Sequence, residues 1–144
     1  MKTSSISFVQ KLGWVYAAMF CFIAIMGYIP GLTDAHGNLF GLFKLDLYDN
    51  LLHLGSGIWA AVAAWHSFRD SRFYFRLFGS IYGLDGLMGL LLGQGFLDGG
   101  IFTLGMTPMA WMTRLAMNIP HIAIGGIAVY IGFVLSKRWA DQAK

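Results

Sequence analysis

The chain has 144 residues, of which 57% are apolar and only 12% charged, with no glutamate and a formal net charge of +3. One domain is implied by the length, and a soluble surface is excluded because such a surface needs far more charge. The basic balance calls for no nucleic acid, since the positive residues fall in short connections and tails where anionic lipid headgroups attract them.

Four charge-poor runs are long enough to cross a hydrocarbon core of about 30 Å at about 1.5 Å per residue. The first, Leu12 to Ile29, carries no charge. Lys2 and Lys11 precede it as in a signal peptide, but no small-x-small cleavage site follows, and Phe20 stands before Cys21 where a lipoprotein needs a small residue. It is expected to be a retained helix, with the lone Cys21 packing as a small hydrophobe. The second run, Leu47 to His66, carries Asp49 and His53; the third, Phe73 to Gln94, carries Arg76 and Asp85; the fourth, Leu115 to Leu135, carries Asn118 and His121. Strand-like alternation is absent and the runs are too long for barrel strands. The expected fold is therefore all-α: one integral membrane domain, residues 1–144, of four transmembrane helices. Between the third and fourth, the apolar stretch from Gly99 to Arg114, with Pro108 and Trp111, is expected to lie in the membrane interface and to cap a pocket.

Orientation follows from the basic residues. Lys2, Lys11, Arg69, Arg72, Arg76, Lys137, Arg138 and Lys144 fall on one side of a four-span arrangement, against Lys44 and Arg114 on the other. The positive-inside rule then puts both termini in the cytoplasm of a cytoplasmic (inner) membrane. Trp14, Trp65, Trp111 and Trp139 near span ends suit interfacial anchoring, whereas Trp59 lies mid-span and suits packing.

An internal repeat organises the chain. Asn50, His53 and Gly57 in the second span match Asn118, His121 and Gly125 in the fourth at an offset of 68 residues. At the same offset the segment from Gly27 to Gly31 aligns with that from Gly95 to Gly99. Two tandem helical hairpins, about residues 12–66 and 73–135, are thus expected to be related by a pseudo-twofold axis along the membrane normal.

Spacings of three and seven place Asn50, His53 and Gly57 on one helix face, and Asn118, His121 and Gly125 on another. A polar stripe avoids lipid, so both should face into the bundle with the glycines admitting a neighbouring helix or a ligand. Asp49, one turn before His53, is placed to hydrogen-bond its ring. Asp85 lies within a span, at a cost of about 3 kcal/mol on insertion scales, and needs a partner, a proton or water. At offset 68 its counterpart is Ala17.

The segments Gly27 to Thr33 (GYIPGLT), Leu39 to Phe43 (LFGLF) and Asp49 to Gly57 (DNLLHLGSG) resemble an uncharacterised family of small four-helix bacterial membrane proteins, a domain of unknown function. The resemblance covers nearly the whole chain and implies the four-helix topology without an activity. Three classes of function are left open. First comes a structural or accessory membrane subunit, in which Asn and His side chains hold helices in register at about 0.6 kcal/mol per contact. Second is a redox protein with haem ligated by His53 and His121, or a transition metal held by His53, His121 and Asp85, with Asp49, Asn50, Asn118, Gly57 and Gly125 around it. Third is a proton-linked transporter or sensor acting through Asp85 and the two histidines. No nucleophile elbow, His-Glu-x-x-His or phosphate-cradling glycine loop points to an enzyme. His36 and His66 read as solvated. Membrane lipid is the expected partner, and the glycine pairs Gly79/Gly83 and Gly89/Gly93 are available for packing within the bundle, in a homo-oligomer or in a larger complex.

Overall fold

A computed structural model describes residues 6–41 and 45–143, which form helices and no strand. Lys2, Lys44 and Lys144, and Leu42 and Phe43 of the LFGLF segment, lie outside the described residues. Helix α1 spans Phe8–Met26. It begins ahead of Leu12 because Ser7 and Gln10 cap it reciprocally, each side chain accepting the other's backbone N–H at 3.1–3.2 Å. In the loop that follows, the Asp34 carboxylate accepts from the Asn38 and His36 backbone amides and from the Asn38 side chain. Those bonds, the Asn38 backbone bond foremost, hold its carboxyl below the usual range.

Helix α2 (Leu47–His66) opens on a second reciprocal cap, between Asp46 and Asp49. Helix α3 (Phe68–Leu92) starts almost where α2 stops, with Ser67 as the only joint. Ser67 caps α3 by accepting from Asp70 N–H at 3.1 Å, and Ser71 Oγ donates back to the carbonyls of Ala63 and Ser67. The expected connection from Ser67 to Arg72 is thus mostly helix, and Arg69 and Arg72 are helical. Beyond Gly93, which takes the left-handed conformation (φ 84°) that favours glycine, come the short α4 (Gly100–Leu104) and the long α5 (Trp111–Phe133), with a 3-10 segment over Leu135–Ala143. Pro120 sits inside α5, where its missing N–H leaves one helical carbonyl without its donor.

The helices meet as two antiparallel pairs, α1 on α2 and α3 on α5, with α3 joining the pairs through α2 and α1. Within pairs the contacts are made by small residues. A Cβ on Gly13 would lie 2.9 Å from Ala64 Cβ, one on Gly79 2.6 Å from Val129 N, one on Gly86 2.6 Å from His121 Cβ and one on Gly132 2.7 Å from Arg76 N. The glycines of α3 therefore serve α5 in the same chain. Between pairs the contacts are aromatic: Phe20 of α1 packs edge-on against Phe78 and Tyr82 of α3 at 5.1 and 5.5 Å, and Tyr16 against Phe75 at 5.0 Å. Tyr16 also reaches α5, donating its hydroxyl to the Ile124 carbonyl at 2.8 Å. Trp59 packs edge-on against Tyr74 at 5.0 Å, as expected for a mid-span residue.

The two pairs share a contact pattern but differ in register. Gly57 rests on Ala17 and Cys21, whereas its match Gly125 rests on Gly79 and Gly83. An offset of 68 carries Gly57 to Gly125, but an offset of 62 carries Ala17 to Gly79 and Cys21 to Gly83. The uniform offset expected from sequence therefore does not describe α1 and α3, and by contact register Asp85 stands opposite Ile23.

Among the described residues, three segments are long and apolar enough to cross a membrane: Phe8–Met26, Phe68–Leu92 and Trp111–Ala140. Helix α2, at 20 residues, matches them in length. Its hydropathy falls short because Asp49, Asn50 and His53 crowd its first two turns.

The packing predicts unequal costs for one added methyl. Gly125→Ala would drive a Cβ into the Gly83 backbone, which cannot rotate away, whereas Gly57→Ala meets the Cys21 side chain first, at 2.9 Å. The former should cost about 1–3 kcal/mol and more than the latter, seen as a lower thermal midpoint for detergent-solubilised protein. Equal midpoints would contradict this packing.

Candidate functional site

The aromatic contacts keep the two pairs apart, and a cavity of about 480 Å³ lies between them. This lies within the about 300–1,000 Å³ typical of small-molecule sites. Its walls come from all four long helices and from the segment after α3: Ile23 and Met26 on α1, Asp49, His53 and Trp59 on α2, Phe78, Tyr82 and Asp85 on α3, Asn118, His121 and Ile124 on α5, and Gln94 and Asp98 between α3 and α4. His53, His121, Asp85, Asp49 and Asn118, singled out from sequence, all line this one cavity. Asn50, Gly57 and Gly125 do not.

Each of these residues is held by its own local chemistry. Asp85 is buried, and its Oδ1 accepts two backbone N–H groups, from Phe96 at 2.7 Å and Leu97 at 2.8 Å. The carboxylate thereby satisfies amides of a loop that no ladder reaches, and anchors that loop over the cavity. The capping segment is thus the one around Gln94 to Asp98, whereas the stretch from Gly99 to Arg114 folds back on α3 through Thr107 and leaves Phe102, Leu104 and Met106 exposed. Asn118 donates to the Arg114 carbonyl at 2.9 Å and packs on Gly89. His121 Nδ1 lies 3.1 Å from the Met117 carbonyl. A carbonyl only accepts, so Nδ1 carries a proton in this bond and Nε2 is left for another partner.

Tyr82 stands between the two histidines. Its hydroxyl is 3.5 Å from His53 Nε2, and its ring centroid is 4.6 Å from that of His121. On its other side the His53 ring stacks on Phe20 at 5.9 Å, and His53 Nδ1 is buried with no hydrogen-bond partner among the described residues. The bond expected from Asp49 to His53 is not formed. Asp49 Oδ2 instead accepts the Asp46 N–H at 3.0 Å, because a reciprocal cap satisfies two amides at the helix start that otherwise have no partner. Asn50 turns toward the α1–α2 loop, with Nδ2 3.3 Å from Tyr28 Oη. The two Asn/His stripes are therefore not equivalent in surroundings, as an exact repeat would require.

The geometry bears on the cofactor classes. Gly57 and Gly125 do not open room for a porphyrin, since each is filled by the helix it packs on, α1 and α3 respectively. Among the described residues, no three His, Cys, Asp or Glu side chains stand together to hold a metal ion. Asp85 is committed to the loop amides. His36 and His66 lie away from the cavity, and His66 pairs with Asp70 one turn on. Tyr82, Gln94 and Asp98 were not picked out from sequence. Tyr82 had a signal, since Phe78, Tyr82 and Asp85 share one helix face by their spacing. The loop residues had none.

The anchoring role makes a prediction. Asp85→Ala leaves the Phe96 and Leu97 amides unpaired, at about 1–3 kcal/mol each, whereas Asp85→Asn keeps one acceptor oxygen. Thermal denaturation in detergent should place Asp85→Ala well below Asp85→Asn, and Asp85→Asn below the parent chain. A midpoint for Asp85→Ala equal to the parent's would remove the anchor from the account.

No curated protein and no solved structure matches the chain. A family model described as a domain of unknown function, DUF4383, matches residues 10–134. That match runs from the first turn of α1 past the end of α5 and so takes in every wall of the cavity. With all of its helical pairs inside the matched region, the chain belongs to the DUF4383 family, whose defining domain has no assigned function.

Proposed function

We propose that the chain is a four-span accessory protein of the cytoplasmic membrane, with both termini cytoplasmic, whose two helix pairs enclose a binding site for a small amphiphilic molecule. Support for α2 as the fourth span comes from its outer face. Leu51, Leu54, Ile58, Val62 and Trp65 are all exposed and follow helical spacing down its whole length, a stripe suited to lipid. Its polar residues Asp49 and His53 are on the cavity wall instead. The basic residues Lys11, Arg69, Arg72, Arg76, Lys137 and Arg138 gather at the end of the bundle where α1 starts and α5 stops, which favours that end as the cytoplasmic one.

The carrying observation is the gradient along the cavity. Its polar groups Asp49, His53, His121, Gln94 and Asp98 gather at the end near the α1–α2 loop, beside Met26, Leu39, Leu45 and Leu97, and toward the middle of the bundle the wall is Trp59, Phe78, Ile81 and Ile124. From Asp49 to Trp59 is about 15 Å along α2. A polar head and an apolar tail would each find matching surroundings. Side chains meant only as interhelical glue would bond across the bundle. Here Asn118 and His121 bond to their own helix, His53 Nε2 and Asn50 Nδ2 meet tyrosine hydroxyls only at 3.5 and 3.3 Å, and among the described residues His53 Nδ1 and Asn50 Oδ1 have no partner.

Two measurements test this. In a Cys21→Ala background, His36→Cys should react with a membrane-impermeant maleimide in intact cells and Ala140→Cys only after permeabilisation; the reverse pattern would invert the topology. Native mass spectrometry of the full chain from a neutral maltoside micelle should show a dodecanol adduct, which Ser56→Phe, filling the cavity from α2, should reduce at least about tenfold, the equivalent of about 1.4 kcal/mol. An adduct that survives Ser56→Phe unchanged would place the alcohol elsewhere.

A further inference from the structure

We infer that the head group this cavity takes is cationic: the ligand is a long-chain amine or a similar amphiphile bearing N–H donors. This rests on the cavity being a ligand site and goes on to its chemistry. Three carboxylates line the wall, Asp49, Asp85 and Asp98, and among the described residues no lysine or arginine joins them. Arg114, the basic residue nearest in the chain to the start of α5, gives its guanidinium to the carbonyls of Leu91 and Thr107 and is not on the wall.

Each carboxylate commits one oxygen locally. Asp49 Oδ2 accepts from Asp46 N, Asp85 Oδ1 from Phe96 and Leu97 N, and Asp98 Oδ1 from Gly100 N at 2.8 Å. The second oxygen of each takes part in no hydrogen bond among the described residues. The neighbouring Gln94 side-chain amide is already donating, to Thr107 Oγ1 at 3.0 Å, and its carbonyl oxygen is a further acceptor.

The polar end of the cavity therefore offers an excess of acceptors and of negative charge, with Asp85 buried, Asp49 half-buried and Asp98 exposed at its rim. Burying such charge without a counter-charge is costly. An ammonium supplies both the donors and the opposite sign. A carboxylate or phosphate head would meet like charge and find few donors. An uncharged hydroxyl head would fit the shape and forgo the charge.

Competition among probes of one chain length isolates the head group. Dodecylamine, dodecanol and dodecanoate are offered together, in equal amounts, to the full chain in neutral maltoside, and adducts are counted by native mass spectrometry. The amine adduct should exceed the carboxylate adduct by about tenfold or more, the size of one charge-assisted hydrogen bond, with the alcohol between them. Asp49→Asn combined with Asp98→Asn should bring the amine down to the level of the alcohol, read as the amine-to-alcohol ratio in the same spectrum. If the double variant does not fold, Asp98→Asn alone, at an exposed position, should lower that ratio.

A carboxylate adduct equal to the amine, or an amine preference that survives the substitutions, overturns the cationic head while the alcohol adduct keeps the cavity as a site. Absence of all three adducts overturns both.

Discussion

The structure depends on a difference in contact size. Within each helix pair, glycine and alanine let backbones approach until a single added Cβ would collide: Gly13 with Ala64, Gly79 with Val129, Gly125 with Gly83. Between pairs, Tyr16, Phe20, Tyr74, Phe75, Phe78 and Tyr82 stack edge to face and are almost wholly buried. In a membrane, where apolar surface gains little by leaving lipid, close van der Waals contact is what holds helices together. Two tight pairs and a wide aromatic seam follow, and where the seam ends at Tyr82 the pairs leave the cavity between them.

That arrangement assigns unlike tasks to residues that look alike in sequence. Asn118 and His121 face the cavity with their bonds closed on their own helix, while Asn50 turns to Tyr28 and His53 stacks on Phe20. Asp85 stands within a span, where the sequence left a partner, a proton or water open to it. Its carboxylate is the acceptor for two loop amides, which have no other partner once the chain leaves α3. A charged group inside a bilayer is tolerated when it removes a comparable cost elsewhere, and here it removes the cost of two unpaired donors.

The change of register between the pairs explains the asymmetry of the site. Because α1 and α3 correspond at an offset of 62 and α2 and α5 at 68, the third helix presents Asp85 to the cavity at the level where the first presents Ile23. The α3–α5 pair therefore brings a carboxylate from its first helix where the α1–α2 pair brings an isoleucine, although both pairs use the same small-residue contacts.

Much was legible in the sequence because it depends on short-range rules. Charge-poor runs mark the long helices, Ser7 and Asp46 are cap residues by type, and the spacing of Asn118, His121 and Gly125 puts them on one face whatever else is present. Other features depend on which surfaces meet. The Asp49 carboxylate chose the Asp46 amide over the His53 ring, Gly57 and Gly125 closed on a neighbouring helix where the sequence left helix or ligand open, and Gln94 and Asp98 reached the cavity from a loop without periodicity. A residue's helix face is set by local geometry. The partner across that face is set by the packing of the whole chain, which only the tertiary structure decides.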